Sequence, residues 1–176
     1  MLPGWKTKPG ESIKSKNCSI LFVCTNKIYI FVPDMENEDS KYCGCLYYSA
    51  NALGRVMTRM AEEEFSVTGL APSYAFLLMG VNEKPGIQPG EISIQMQLTP
   101  STVTRLIEKM EQKGYVERKS AGRATQVYPT DKSRVLDDKI KEAWVNLFNR
   151  YSKILGEENA RDLTANIYEA YKTINV

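Results

Sequence analysis

Residues 98 to 119 read Leu98-Thr-Pro-Ser-Thr-Val-Thr-Arg-Leu-Ile-Glu-Lys-Met-Glu-Gln-Lys-Gly114-Tyr-Val-Glu-Arg118-Lys119, and the chain continues through Ser-Ala-Gly-Arg123 into Ala-Thr-Gln-Val-Tyr-Pro-Thr130. The order predicts a capped helix, a glycine stop, a strand, a tight basic turn and a second strand. Thr99 supplies a hydroxyl N-cap, and Pro100 sits at the first helical position, where its missing N–H costs nothing. Val103, Leu106, Ile107 and Met110 recur at i, i+3, i+4 and i+7, the spacing of a buried helical stripe.

The opposite face carries Ser101, Thr102, Thr104, Arg105, Glu108 and Lys109. Free N–H groups at a helix start, ringed by small hydroxyls and followed by cations, suit a polyanion backbone and base edges. An ordinary amphipathic helix joined to an ordinary hairpin is the plainer reading. Capped amphipathic helices are common, so the helix alone decides little. The order decides more, because a short helix, a turn and a basic two-stranded hairpin follow one another with no spare residues.

From about Tyr42 to its C-terminus the chain resembles the MarR family of winged helix-turn-helix regulators. The family's Ser/Thr-rich recognition helix corresponds to Ser101–Arg105, its Gly-hydrophobic-Val-x-Arg run to Gly114–Arg118, its wing arginine to Arg123 and its closing threonine to Thr130. Two positions depart from the pattern. Ala121 stands where an Asp usually precedes the wing arginine, in a wing that looks short, and Ser133 stands where a Gly usually follows the closing Thr. The resemblance implies a mainly α fold with a small β wing, a winged helix-turn-helix lobe and long dimerisation helices. The DNA-contacting residues it implies, together with the reading of the helix face, are Pro100, Ser101, Thr102, Thr104, Arg105, Lys109, Arg118, Lys119, Arg123 and Thr125.

Charge is distributed in keeping with that reading. The 176-residue chain carries a formal net charge of only +2, with 43% hydrophobic and 25% charged residues, as an ordinary soluble domain does. Segment 105–134 holds Arg105, Lys109, Lys113, Arg118, Lys119, Arg123, Lys132 and Arg134 against Glu108, Glu111, Glu117 and Asp131, a net +4. Segment 34–64 holds Lys41, Arg55 and Arg59 against Asp34, Glu36, Glu38, Asp39, Glu62, Glu63 and Glu64, a net −4. A positive patch confined to the helix and wing is the electrostatic footprint of a DNA reader.

The chain has no histidine, which removes Ser-His-Asp and Cys-His nucleophiles, His-containing zinc sites and imidazole bases together. It has no phosphate-binding loop or dinucleotide fingerprint. Carboxylate pairs such as Glu62–Glu64 and Asp137–Asp138 fall at charged helix ends or on exposed faces, where solvation outweighs catalysis. We expect no enzyme, no cofactor and no metal. Cys18, Cys24, Cys43 and Cys45 all lie in the first quarter without paired CxxC spacing, which fits a reducing cytosol better than a disulfide framework. Asn17-Cys18-Ser19 matches a glycosylation acceptor, a tripeptide short enough to arise by chance.

Residues 1–34 read as an extension outside the core fold. Lys6, Lys8, Lys14 and Lys16 precede two β-prone apolar bursts, Ser19–Cys24 and Ile28–Val32, too short and interrupted for a membrane span and without a signal-peptide cleavage site. Met35 then reads as a natural start, with an N-terminal arm as the alternative. Residues 35–64 form the first dimerisation segment, with a helix expected over Ser40–Glu64. Residues 65–130 form the DNA-binding lobe, with Ser73 capping a helix through Tyr74–Met79 and a bracing helix over Gly90–Gln97. Residues 131–176 form the C-terminal dimerisation helices. The first, Asp131–Leu155, carries Leu136, Ile140, Trp144, Leu147, Tyr151 and Ile154, and Gly156 separates it from Glu157–Ile174.

The terminal helices carry more apolar surface than one small lobe covers, so a two-fold homodimer is expected. Such a dimer places two recognition helices roughly 34–36 Å apart and calls for a near-palindromic operator on double-stranded DNA. The implied function is a cytoplasmic transcriptional regulator, a repressor released by a small-molecule effector. The resemblance puts effectors where the dimer helices meet the lobe, and Tyr47, Tyr48, Tyr74 and Phe76 are the residues for such a crevice; core packing is the alternative for them. Cys43, in the run Cys43-Gly-Cys45-Leu46-Tyr47-Tyr48-Ser49, is similar to the peroxide-reactive cysteine of the hydroperoxide-sensing branch, and a thiol near a helix start has its thiolate favoured. The positions matching that branch's tyrosines are Met57 and Ala71, which speaks against it. Two other readings therefore stand beside the repressor: a thiol-based redox sensor using Cys43, and a winged-helix protein–protein adaptor. The adaptor calls for an acidic or apolar recognition face, against Arg105, Lys109 and Arg123.

Overall fold

A helix starts at Leu46 rather than Ser40 because the residues before it make a turn of their own. Cys45 N–H donates to the Tyr42 carbonyl (2.9 Å) and the Ser49 hydroxyl donates to the Cys43 carbonyl (2.7 Å). Ser49 N–H then donates to the Cys45 carbonyl, so Cys45 occupies the N-cap position of α1 (Leu46–Phe65). Gly44 lies inside that turn, where its backbone freedom would have cost a helix stability. The computed structural model describes residues 41–122 and 124–175, without the side chain of Ala121. The expectations for residues 1–34, for a start at Met35 and for the placement of Arg123 concern residues outside that description.

The chain divides into two compact units, Met1–Val56 and Met57–Val176. In the first, the described residues are the turn and the N-terminal part of α1, with the Tyr42 and Tyr48 rings 5.5 Å apart. In the second, the end of α1 leads through a short turn at Ser66–Thr68 into α2 (Pro72–Glu83), α3 (Pro89–Met96) and α4 (Pro100–Gln112). Strands β1 (Val116–Ala121) and β2 (Ala124–Pro129) follow, then α5 (Asp131–Leu155) and α6 (Glu157–Ile174). Pro72 at the first position starts α2 with Ala71 at its N-cap, so Ser73 does not cap it. Likewise Pro89 opens α3 one residue before Gly90, and Gln97 lies beyond its end.

A single apolar core ties these elements. Phe65 from α1, Leu77, Leu78 and Val81 from α2, Ile92 from α3, Val103, Ile107 and Met110 from α4, Val127 from β2 and Ile140 from α5 are all but inaccessible. The strands pair antiparallel from Val116 opposite Pro129 to Ala121 opposite Ala124. Ile87 adds a bridge to Val127: Gly86 N–H donates to the Val127 carbonyl (2.8 Å) and Val127 N–H to that of Ile87 (3.0 Å). The hairpin is thereby anchored to the segment that opens α3. At its base the Thr130 hydroxyl donates to the Gly114 carbonyl (2.8 Å), closing the loop between helix and strand.

Helix α5 rests on α2 through a polar contact as well as an apolar one. The fully buried Ser133 donates its hydroxyl to Asn82 Oδ1 (2.9 Å), and Asn82 Nδ2 donates to Asp137 Oδ1 (2.9 Å). Further along α5, Arg150 pairs with Glu63 (2.6 Å) and Glu64 (3.0 Å) at the end of α1. No helix among the described residues is long and apolar enough to cross a membrane.

Candidate nucleic-acid interface

Helix α4 has two chemically opposite sides. Val103, Ile107 and Met110 are buried, and this fixes the outward direction of the residues between them. Pro100, Ser101, Thr102, Thr104, Arg105 and Lys109 are all exposed. Thr99 caps the helix as its type suggests, its hydroxyl oxygen accepting from Thr102 N–H at 3.3 Å. The same oxygen lies 3.1 Å from Ser101 Oγ and 2.9 Å from Thr102 Oγ1, so the first turn presents a connected group of hydroxyls. Thr104 donates its hydroxyl back to the Pro100 carbonyl (2.9 Å). Among the described residues no carboxylate pairs with Arg105 or Lys109, and both cations stay available to an outside anion.

The wing cations are held differently. Arg118 Nε and Nη2 both donate to Glu111 Oε2, at 2.9 and 2.6 Å, and Arg118 N–H donates to Glu111 Oε1 at 3.2 Å. This fork clamps β1 onto the last turn of α4. The hydrogen bond from Arg118 holds the Glu111 carboxyl below its ordinary range, and the carboxylate in turn raises the Arg118 guanidinium. Lys119 pairs with Glu117 (2.7 Å), which raises its ammonium, and lies 4.9 Å from the Tyr128 ring centre. Thr125 is exposed on β2 opposite Ser120. Of the residues singled out in the sequence, the structure thus gathers Pro100, Ser101, Thr102, Thr104, Arg105 and Lys109 on one exposed face and sets Arg118, Lys119 and Thr125 on the adjoining hairpin. Lys132 joins from α5, donating to the Lys113 carbonyl (2.8 Å) with its ammonium over the Tyr115 ring (4.2 Å).

The aromatic residues divide between the units. Tyr47 and Tyr48 lie in the first, exposed near the start of α1. Tyr74 and Phe76 lie in the second, half-buried against the core, with the Phe76 and Phe65 rings 5.3 Å apart. Cys43 is half-buried in the turn before the N-cap, not on the helix, and Cys45 is the more exposed thiol; both are free. Among the described residues no cluster of Cys, Asp and Glu is grouped to hold a metal ion. The sequence reading missed Glu111 as the partner of Arg118 and Asn82 as the partner of Ser133. Seven and fifty-one residues separate these pairs, and only the fold brings them together.

Residues 70–121 match the model of the MarR family. The chain is 31% identical over 111 residues to the HTH-type transcriptional regulator TtmR of Methylorubrum extorquens, across 61% of this chain and 54% of that protein. It thus spans about half the length of that relative. It is 25% identical over 117 residues to the HTH-type transcriptional repressor MdtR of Bacillus subtilis, across 63% of this chain and 76% of that one. Among solved structures, the S. aureus MepR–DNA complex superposes with a TM-score of 0.65 at 17% identity, covering 73% of this chain and 97% of MepR, a likeness of fold. Over residues 70–121 the chain thus resembles the MarR family, whose members are transcriptional regulators and not enzymes.

Proposed function

We propose that the chain is a homodimeric, sequence-specific DNA-binding repressor that sets α4 into the major groove and lays the β1–β2 hairpin along the adjacent backbone. The observation that carries this reading is the outward face of α4. Exposed hydroxyls and the carboxylate-free Arg105 and Lys109 stand back to back with a fully buried apolar stripe. Arg105 supplies the forked donor that reads guanine edges, Lys109 a point charge for phosphate, and Pro100, Ser101, Thr102 and Thr104 small groups that allow close approach. Arg118 and Lys119, each already on a carboxylate, contribute by holding the hairpin as well as by charge. For Arg123 the family resemblance implies the minor-groove role of the wing arginine.

Dimerisation is supported by apolar side chains that α5 and α6 leave in water. Trp144, Val145, Ile154, Ile167, Tyr168 and Ile174 are each about half or more exposed, at 49 to 74%. Repression follows the likeness to MdtR, a transcriptional repressor, and release by a small effector follows the family resemblance. Selection of bound sequences from random duplexes tests the proposal. A near-palindromic winner with half-sites one helical turn apart is expected, and recovery of no preferred sequence would contradict it.

A further inference from the structure

The turn between α3 and α4 breaks a rule that the other turns keep. Among the described residues, backbone φ is positive at Gly69, Gly86, Gly114, Gly122 and Gly156, and at one residue that is not glycine, Gln97, with φ 53° and ψ 40°. The left-handed region presses a Cβ toward the following carbonyl, so glycine is the default there and asparagine the usual substitute.

The fold demands that conformation at 97. Leu98 N–H turns back to the Ser93 carbonyl (3.1 Å), Gln97 N–H to that of Ile94 (3.3 Å), and the Ser93 hydroxyl donates forward to the Leu98 carbonyl (2.5 Å). A helix end closed in this way favours glycine, yet the chain supplies a long amide. Gln97 is exposed, and among the described residues its amide makes no hydrogen bond within the chain. The strain is therefore not offset by any internal side-chain bond. Backbone strain of this kind clusters at active sites, ligand clamps and switch regions. Here the position is two residues ahead of the Thr99 cap, at the edge of the hydroxyl face of α4, and Ile94 just before it on α3 is 80% exposed.

We propose that Gln97 is a DNA-contacting residue whose side-chain amide donates to a backbone phosphate at the groove edge beside the start of α4. This rests on the DNA-binding reading of α4. A neutral amide supplies directed donors that fix register without releasing counterions.

Gln97→Gly and Gln97→Ala test it, by thermal melting and by titration of the selected duplex across a salt series. Glycine relieves the left-handed strain, so Gln97→Gly is expected to melt at or above the parent's temperature. Both variants are expected to lose roughly three- to tenfold in affinity, the scale of one hydrogen bond, with the parent's salt slope unchanged. A Gln97→Gly protein that binds as the parent does would overturn the proposal. So would a loss confined to one base pair, which would make Gln97 a base reader. A parent chain that binds no duplex removes the reading of α4 and this contact together, whereas an unaffected variant removes the contact alone.

Discussion

Arg105 and Arg118 illustrate how two similar cations come to do different work. Arg105 projects from the middle of α4 with no carboxylate partner among the described residues, while Arg118 is forked onto Glu111 by two guanidinium bonds and one backbone bond. Arg105→Ala should therefore cost roughly 1–3 kcal/mol in binding and relax preference at one position per half-site, read by competition with base-substituted duplexes. An equal loss on every duplex would assign it to phosphate. Glu111 makes a pH-dependent contribution of known sign. Its carboxyl titrates below the ordinary range in the folded state, so the stabilisation is present at neutral pH and fades as pH falls through that lowered value. Glu111→Gln should lower the melting temperature near neutrality, by the modest amount expected of a partly exposed pair, and the gap to the parent should close as pH falls below the ordinary carboxyl range. A gap that stays constant with pH would show that the pair contributes nothing through its charge. Arg105 was legible from sequence because helical periodicity alone points it outward. The Glu111 clamp was not, because it joins a helix to a strand across the Gly114 turn.

The elements follow local sequence where caps and breakers are explicit. Thr99-Pro100 starts α4, Gly114 follows its end, and Gly156 with φ 83° separates α5 from α6, all as their residue types require. Where the signal was periodicity alone, the reading was coarser. The expected stripe of α5 splits: Ile140 and Leu147 are buried, but Ala143 takes the inward place between them and leaves Trp144 51% exposed. A large aromatic at near-heptad spacing outweighed a small neighbour that fits the 3.6-residue turn better. Ser133 is the element-level surprise, a buried hydroxyl where the family usually has glycine, made tolerable by Asn82. Asn82→Ala would leave that hydroxyl unpaired and should cost about 1–3 kcal/mol in unfolding free energy, measured by urea denaturation. Adding Ser133→Ala should recover much of the loss, since removing both partners removes the penalty. Strictly additive losses would mean that the two side chains do not depend on each other.

At the scale of the whole molecule, a weakly charged chain carries a net positive segment over α4, the hairpin and the start of α5, and leaves apolar side chains exposed on α5 and α6. The first feature suits a polyanion and the second a second copy of the chain, and the proposed dimer would set two recognition helices on one duplex. Fold class and lobe were legible because the motif order is dense and contiguous in sequence. The proposed dimer rests on unpaired apolar surface alone. Hydroxyl-radical footprinting on the selected duplex, with parent and Arg105→Ala proteins side by side, tests the central claim most directly. The account predicts two protected half-sites one helical turn apart for the parent, both lost or weakened together in the variant. A single protected patch, or protection indifferent to Arg105, would contradict it.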